Sequence, residues 1–252
     1  MLINKPIATM KALGAALIVA ILIFSGCRSI YKSEGLKGIK VIVNYPVVIM
    51  NDGLHGAVNF FNLKDTVWIF YYNNTVLYRL SGTRNVETDR KILGTETWFV
   101  YRKKATHGFL FNSMTDSSKG LKLPVDSFLN NRAYASANFD IPSDSLYERS
   151  ENKLDNFVEE YFVKIVHSDN YPDSIYYYFT KNLNIDYSFS RKMDSAKKMK
   201  LYKIRLLYNE GFSPSYKIML PKREFLFEIR EEAITNSKEI EIFFERVKSQ
   251  IK

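Results

Sequence analysis

The sequence predicts an α+β protein: a mainly antiparallel β-sheet, meander or half-barrel-like, with an amphipathic helix at its C-terminal end. Three observations predict it. Short runs of β-branched and aromatic residues recur between Ile39 and Ile229, separated by Asn, Asp, Gly and Pro. Several runs alternate apolar and polar residues, as strands with one wet side do. From Lys238 to Ile251 the period changes, placing Ile240, Phe243, Phe244, Val247 and Ile251 on one helical stripe. With 46% hydrophobic and 15% aromatic residues, but only 11 Gly and 7 Pro among 252, the chain can bury a core. Disordered and collagen-like classes are excluded by the same composition.

At the N-terminus, Lys5 and Lys11 precede an unbroken apolar stretch from Ala12 to Phe24, with no acidic residue before Cys27. That length suits a secretion signal, whereas a spanning helix needs about 20 residues. The stretch ends in Phe24-Ser25-Gly26-Cys27. This tetrad resembles the lipobox of bacterial lipoproteins, in which a bulky apolar residue and two small ones precede the lipidated cysteine; Phe24 stands where the family usually has Leu. The resemblance covers about the first tenth of the 252 residues and names no family for the body.

It implies that residues 1–26 are a signal peptide and that Cys27 becomes the lipidated N-terminus. A thioether-linked diacylglyceryl group, with an amide-linked acyl chain such as palmitate, would then anchor the protein, each buried methylene contributing about 0.8 kcal/mol. Cys27 is the only cysteine. A secreted body normally uses cysteines in pairs, so a lone one at the end of an apolar stretch fits acylation better than folding. Cleavage leaves 226 of the 252 residues and lowers the net charge from +9 to +7, since Lys5 and Lys11 depart with the signal. Arg28-Ser29-Ile30 shows neither the Asp that retains lipoproteins at the inner membrane nor an acidic surface-export cluster. The resemblance therefore implies the periplasmic face of the outer membrane.

Residues 27–38 read as a lipidated tether and 39–252 as the body. Ile39 to Tyr45 is a strand, and Pro46, lacking an N–H, marks a break or an edge position. Val47 to Met50 and Ala57 to Phe61 read as strands joined by a turn at Asn51-Asp52-Gly53, where Gly53 can take positive φ. Thr66 to Tyr72 is apolar on both alternating faces, which marks a strand covered on both sides. Asn73-Asn74 turns the chain into Thr75 to Leu80. Thr97 to Tyr101 and Phe109 to Phe111 make a hairpin around a polar stretch. A helix is predicted over Pro124 to Ala135, where Val125, Phe128, Leu129 and Arg132 follow a helical period. Between Asp140 and Glu160 seven carboxylates face only Arg149 and Lys153. This acidic stretch is the boundary if the body divides into two subdomains near 140–155; its spacing matches no calcium loop, and it reads as a solvated linker or helix face.

In the second half Tyr202, Ile204, Leu206 and Tyr208 share one face, and Lys203 and Arg205 the other. Asn209-Glu210-Gly211 turns the chain into Tyr216 to Leu220, and Pro221-Lys222-Arg223 turns it again into Phe225, Phe227 and Ile229. Asn236 or Ser237 caps the final helix, with Lys248 and Lys252 near its negative end. Three strands then a helix laid across them make an α+β unit. Asp65 to Leu80 and Asp173 to Phe189 both run from an Asp into an aromatic strand, which leaves an internal duplication open.

Nucleotide and zinc enzymes of familiar kinds are not expected, because no glycine-rich phosphate loop, nucleophile elbow, His-Glu-x-x-His or Cys-x-x-Cys occurs. The three histidines, His55, His107 and His167, all sit in or beside turns and show no metal-ligand spacing. Asp52 with His55, and His167 with Asp169, are local acid and imidazole pairs without an evident nucleophile. The reading is a non-enzyme with no catalytic residue, metal or cofactor assigned. Arg191, Lys192, Lys197, Lys198, Lys200, Lys203 and Arg205, interleaved with Tyr202 and Tyr208, have the outline of a nucleic-acid surface. An envelope lipoprotein seldom meets nucleic acid, so the run reads as a solvated face or a patch for anionic lipid.

Trp68, Phe70, Tyr72, Trp98, Phe109, Phe111, Tyr176, Tyr178, Phe225 and Phe227 either fill a packed core or line an apolar cavity, as in half-barrel lipoproteins that handle lipids; packing is the default for aromatics. The expectation is therefore a membrane-anchored envelope lipoprotein that binds an apolar ligand or lipid. The alternative is a scaffold or assembly component that binds another envelope protein; a hydrolase ranks below both.

Overall fold

Runs of alternating residues joined by tight turns pair with their neighbours, and here they build one large sheet. A computed structural model describes residues 35–50, 58–80, 84–86, 91–92, 96–117, 119–130, 139–166, 168, 171–213 and 217–251. Its strands are β1 (Lys37–Met50), β2 (Val58–Tyr72), β3 (Thr75–Leu80), β4 (Arg84–Val86), β5 (Lys91–Ile92), β6 (Thr97–Arg102), β7 (His107–Phe111), β8 (Leu121–Pro124), β9 (Tyr147–Leu154), β10 (Phe157–Lys164), β11 (Ser174–Thr180), β12 (Lys200–Tyr208), β13 (Gly211–Ser213), β14 (Ile218–Leu220) and β15 (Arg223–Glu231). The described helices are α1 (Val125–Asn130), α2 (Arg191–Lys197) and α3 (Ser237–Val247).

The main path through the sheet runs β8-β7-β6-β3-β2-β1-β15-β12-β11-β10-β9, antiparallel at every step. Two meanders are thus joined at the centre by β1 and β15, whose register sets Ile39 against Glu231 and Asn44 against Leu226. The sheet stays open, half-barrel-like, with β8 and β9 at its edges. The chain enters the sheet at Lys37, and the end it enters by is called the near end. The far end is where Tyr208 pairs with Arg223.

Pro46 occupies the edge position that its missing N–H requires. The pairing of β1 with β15 ends at Asn44 against Leu226, so beyond it, among the described residues, β1 is bonded on one side only, to β2, with Pro46 across from Asn62. Past that point β1 and β2 continue together from Tyr45 against Leu63 to Met50 against Val58, with β4 joining β2 at Leu63 and Lys64 and β5 pairing β4. The turn predicted at Asn51-Asp52-Gly53 lies outside the described residues.

The sheet is covered on both faces. On the outer side α3 lays Ile240, Phe243, Phe244 and Val247 onto Phe70, Leu77, Trp98, Val100 and Phe111. Ring contacts there include Tyr72 with Phe244 at 5.4 Å and an edge-on pair of Phe111 and Phe243 at 5.3 Å. Each such side chain, fully buried, contributes about 1.5–3 kcal/mol. The inner face carries Ile39, Val41, Val43, Val67, Ile69, Phe99, Phe162, Phe179, Leu201 and Ile204. It is closed by α1, α2 and the connecting segments, with Phe128 stacked on Phe99 at 4.0 Å and Phe139 edge-on to Phe227 at 4.9 Å. Among the described residues both clusters run from Leu36 to Ile251, and Gly35–Lys252 is one compact unit.

Several elements differ from the sequence reading. β1 begins at Lys37, so the strand takes in the last residues assigned to the tether. The acidic stretch is no linker: β9 and β10 form a hairpin within the same sheet, and Gly35–Lys252 is one compact unit. Tyr202 does not share a face with Ile204. A bulge opposite Tyr178 and Phe179 adds one residue to β12, which turns Leu201 and Ile204 inward and sends Tyr202 out to meet Phe157 and Tyr178. The second of the three expected strands, β14, pairs only with β13 in a small separate hairpin, and β12 pairs directly with β15. Asp65–Leu80 spans two paired strands, whereas Asp173–Phe189 holds one strand and an irregular segment, so the two stretches are not copies of one unit. Asn236 precedes α3 without a side-chain capping bond. The helix expected over Pro124 to Ala135 appears as α1; residues 131–138 lie outside the described set.

Candidate functional site

The ten aromatics weighed as a cavity wall sort onto both faces. Trp68, Phe70, Tyr72, Trp98, Phe109 and Phe111 lie under α3, Phe227 belongs to the inner cluster, and Phe225 stands edge-on to Tyr208 at 5.6 Å. Tyr176 and Tyr178 face outward, with Arg205 over the first ring at 5.4 Å and Lys203 over the second at 5.3 Å. They cannot line one cavity. The inner face is filled by the chain itself, chiefly by the segment 181–199, which brings Leu183, Ile185, Tyr187, Phe189 and Met193 into the core.

That segment is held by polar ties that sequence reading did not find. Asp194 accepts from Ser188 Oγ at 2.7 Å, from Lys200 Nζ at 2.7 Å and from the Leu201 amide at 2.8 Å. Ser190 caps α2 by accepting from the Met193 amide at 3.3 Å. Lys197, in the last turn of α2, reaches the fully buried Glu160, whose Oε1 also accepts from Arg149 Nη2 at 2.5 Å. Glu160 Oε2 has no partner among the described residues. Lys197 and Lys153 also hold the Glu151 carboxyl below its usual range. The basic run read from Arg191 to Arg205 is therefore largely spent in ion pairs: Lys192 with Asp140, Lys197 with Glu160 and Glu151, Lys200 with Asp194, and Arg205 with Glu224. It forms no single basic patch.

Two hollows flank the connection from β15 to α3. The smaller, about 100 Å³, lies on the outer side between Trp68, Arg79, Trp98 and Met114 on one wall and residues 232–236 and Ile240 on the other. β2, β3 and β6 set Trp68, Arg79 and Trp98 side by side, so the guanidinium stands 4.8 Å and 5.4 Å from the two indole centroids. Arg79 also pairs with Glu96. A cation so occupied fills the aromatic slot from within.

The larger hollow, about 590 Å³, opens at the near end of the inner face. Leu36, Ile39, Ile185 and Ile234 give it apolar surface; Glu231, Glu232, Glu241, Asn182 and Asn184 surround that surface, with Lys37 as the only cation among its lining residues. Gly38 shapes it. A Cβ at that position would stand 2.9 Å from Ile234 Cγ1, so glycine lets the connection pack directly on β1. The volume falls within the roughly 300–1,000 Å³ of small-molecule sites.

His107 is exposed, with Nδ1 3.0 Å from Thr106 Oγ1. Cys27, Asp52, His55, His167 and Asp169 lie outside the described residues. Among the described residues no three His, Cys, Asp or Glu side chains gather into a metal site, and no helix is long and apolar enough to cross a membrane. No protein-family model matches the chain, and no curated protein matches it.

Proposed function

We propose that the chain is a lipid-anchored cell-envelope protein, held through Cys27 at the periplasmic face of the outer membrane, whose body binds an amphiphilic lipid without catalysing a reaction. The near-end hollow carries this reading: it has an apolar floor, a polar mouth and ligand-sized volume. Glu231 and Glu241 against Lys37, with Glu232 paired to Lys40 at 3.8 Å, leave the mouth with a small negative excess. An acyl chain would lie over Ile39, Ile185 and Ile234, and the mouth favours a head group bearing an amine over a purely anionic one.

The test uses a single-chain amphiphile labelled with an environment-sensitive dye. Binding to the body should saturate, and Ile185→Trp, which fills the hollow, should weaken it at least about tenfold, the factor that about 1.4 kcal/mol of lost burial represents. Unchanged binding in a folded Ile185→Trp variant would remove the hollow from the account.

A second reading, a scaffold for another envelope protein, is favoured by the two open edges. Leu121 on β8 and Leu154 on β9 are 62% and 66% exposed, and unpaired edge strands are templates for strand addition. Photo-crosslinkers at these positions should then yield one protein adduct of defined mass; a background smear would dismiss it.

A further inference from the structure

Exposed large apolar residues are not scattered evenly over the body. Val163, Ile165, Tyr171, Phe212 and Met219, half of those exposed among the described residues, belong to the connections and strand ends at the far end. Register shows why they gather. The connection between β10 and β11 and the one between β12 and β15 leave the sheet side by side, stitched by the Asp173 amide to Leu207 O at 2.7 Å and by the Asn209 amide to Asp173 Oδ2 at 2.7 Å. Burial opposes ionisation of Asp173, but the Lys164 ammonium and the Asn209 amide together hold its carboxyl below the usual range.

The hairpin of β13 and β14 projects from this end. Its pairing sets Phe212 directly across from Met219, and both side chains stand outward, 55% and 63% exposed, while Ser213 and Leu220 turn in. An isolated two-stranded hairpin is marginal in water, and two large apolar side chains on its outer face add no stability there. Charge completes the pattern. Lys217 and Lys222 flank the pair, exposed and in no ion pair among the described residues, while Lys164 and Glu224 at the same end are neutralised by Asp173 and Arg205. Glu210 is an exposed acid beside them, and Glu148, across from Val163 on β9, is another at this end.

We infer that the far end is a membrane-contacting surface: Phe212 and Met219 enter the interface of a bilayer, and Lys217 and Lys222 meet anionic head groups. Side-by-side apolar residues with flanking lysines are what an interfacial contact requires, burial supplying most of the affinity and each cation a further attraction near a charged surface. The contact stands independently of ligand binding in the near-end hollow.

The experiment uses the body, Gly35–Lys252, with vesicles of phosphatidylcholine alone or containing phosphatidylglycerol. The body should co-sediment with the anionic vesicles and release as salt is raised. Phe212→Ser with Met219→Ser should lower the partition coefficient at least about tenfold on both compositions. Lys217→Glu with Lys222→Glu should remove only the preference for anionic vesicles. Circular dichroism confirms that each variant is folded, and Leu121→Ser, an exposed apolar residue on β8, should change nothing. Failure of the wild-type body to sediment with anionic vesicles, or equal sedimentation of the Phe212→Ser, Met219→Ser variant, would overturn the inference. A photo-crosslinker at position 212 in growing cells should give a lipid adduct; a single protein adduct would assign the surface to a protein and overturn it equally.

Discussion

Cys27→Ala is expected to abolish incorporation of a labelled fatty acid and to leave the precursor at its full 252 residues. The thiol is the only group in the chain that can form the thioether, because no other cysteine exists. In proteins with such a tetrad the peptidase cuts after the cysteine has been acylated, so losing the thiol should stop both steps together. Gel mobility and fatty-acid labelling read them separately. A Ser25→Glu, Gly26→Glu variant keeps the thiol yet should block cleavage, since the peptidase must fit two small residues. Continued labelling of Cys27→Ala would refute the anchor, whatever the body binds.

Raising the pH above 10 is expected to unfold the body steeply. Burial, the largest cause in each case, pushes the phenols of Tyr71, Tyr78 and Tyr177 up from an ordinary 10.0, and that of Tyr147 up to about 12. Tyr78 and Tyr101 stack at 6.1 Å, and Tyr177 donates to Asp140 O at 2.8 Å, so each phenol is neutral where it sits. A raised value stabilises the fold fully below pH 10, where both states keep the proton. Above it the unfolded chain ionises first, and stability falls as the pH climbs towards the folded values. Three phenols that stay protonated only in the fold remove about 1.4 kcal/mol each per pH unit, roughly 4 kcal/mol together. Thermal melts between pH 8 and 12, followed by circular dichroism and by tyrosinate absorbance, should show the melting temperature falling only beyond pH 10 and the buried tyrosinates appearing with unfolding. A melting temperature flat to pH 12 would contradict the buried tyrosine cluster.

Much of the sheet was legible because strands write their burial into the chain. Thr66 to Tyr72, apolar on both sides, is the stretch of β2 that lies between α3 and the inner cluster, and the stripe from Ile240 to Val247 is the face that α3 buries. What sequence could not carry was pairing at a distance. β1 meets β15 across nearly the whole chain, and neither strand encodes the other. The bulge that turns Tyr202 outward is a single extra residue set by the partner strand, so strict alternation across it misplaces everything on one side. Part of the isolated hairpin looked like the second of three sheet strands because Tyr216 to Leu220 has strand composition wherever it pairs.

The site was less legible than the fold. Glu160 did leave a trace, an acid in the inward row between Val158 and Phe162, where a buried charge demands a partner such as Lys197 or Arg149. The near-end hollow left none. Its walls come from residues 36–39, 182–185 and 231–241, three segments far apart in sequence, and empty space has no period. The aromatic residues drew attention to a cavity that they do not form, because aromatic strands look alike whether they face a helix, the core or solvent.

The claim at the centre is that the body carries a lipid. Native mass spectrometry of Gly35–Lys252, secreted into a bacterial envelope and purified without detergent, measures this directly. The account predicts a second population heavier than the polypeptide by the mass of one amphiphile, lost in the Ile185→Trp variant. A spectrum holding only the bare polypeptide mass would contradict it.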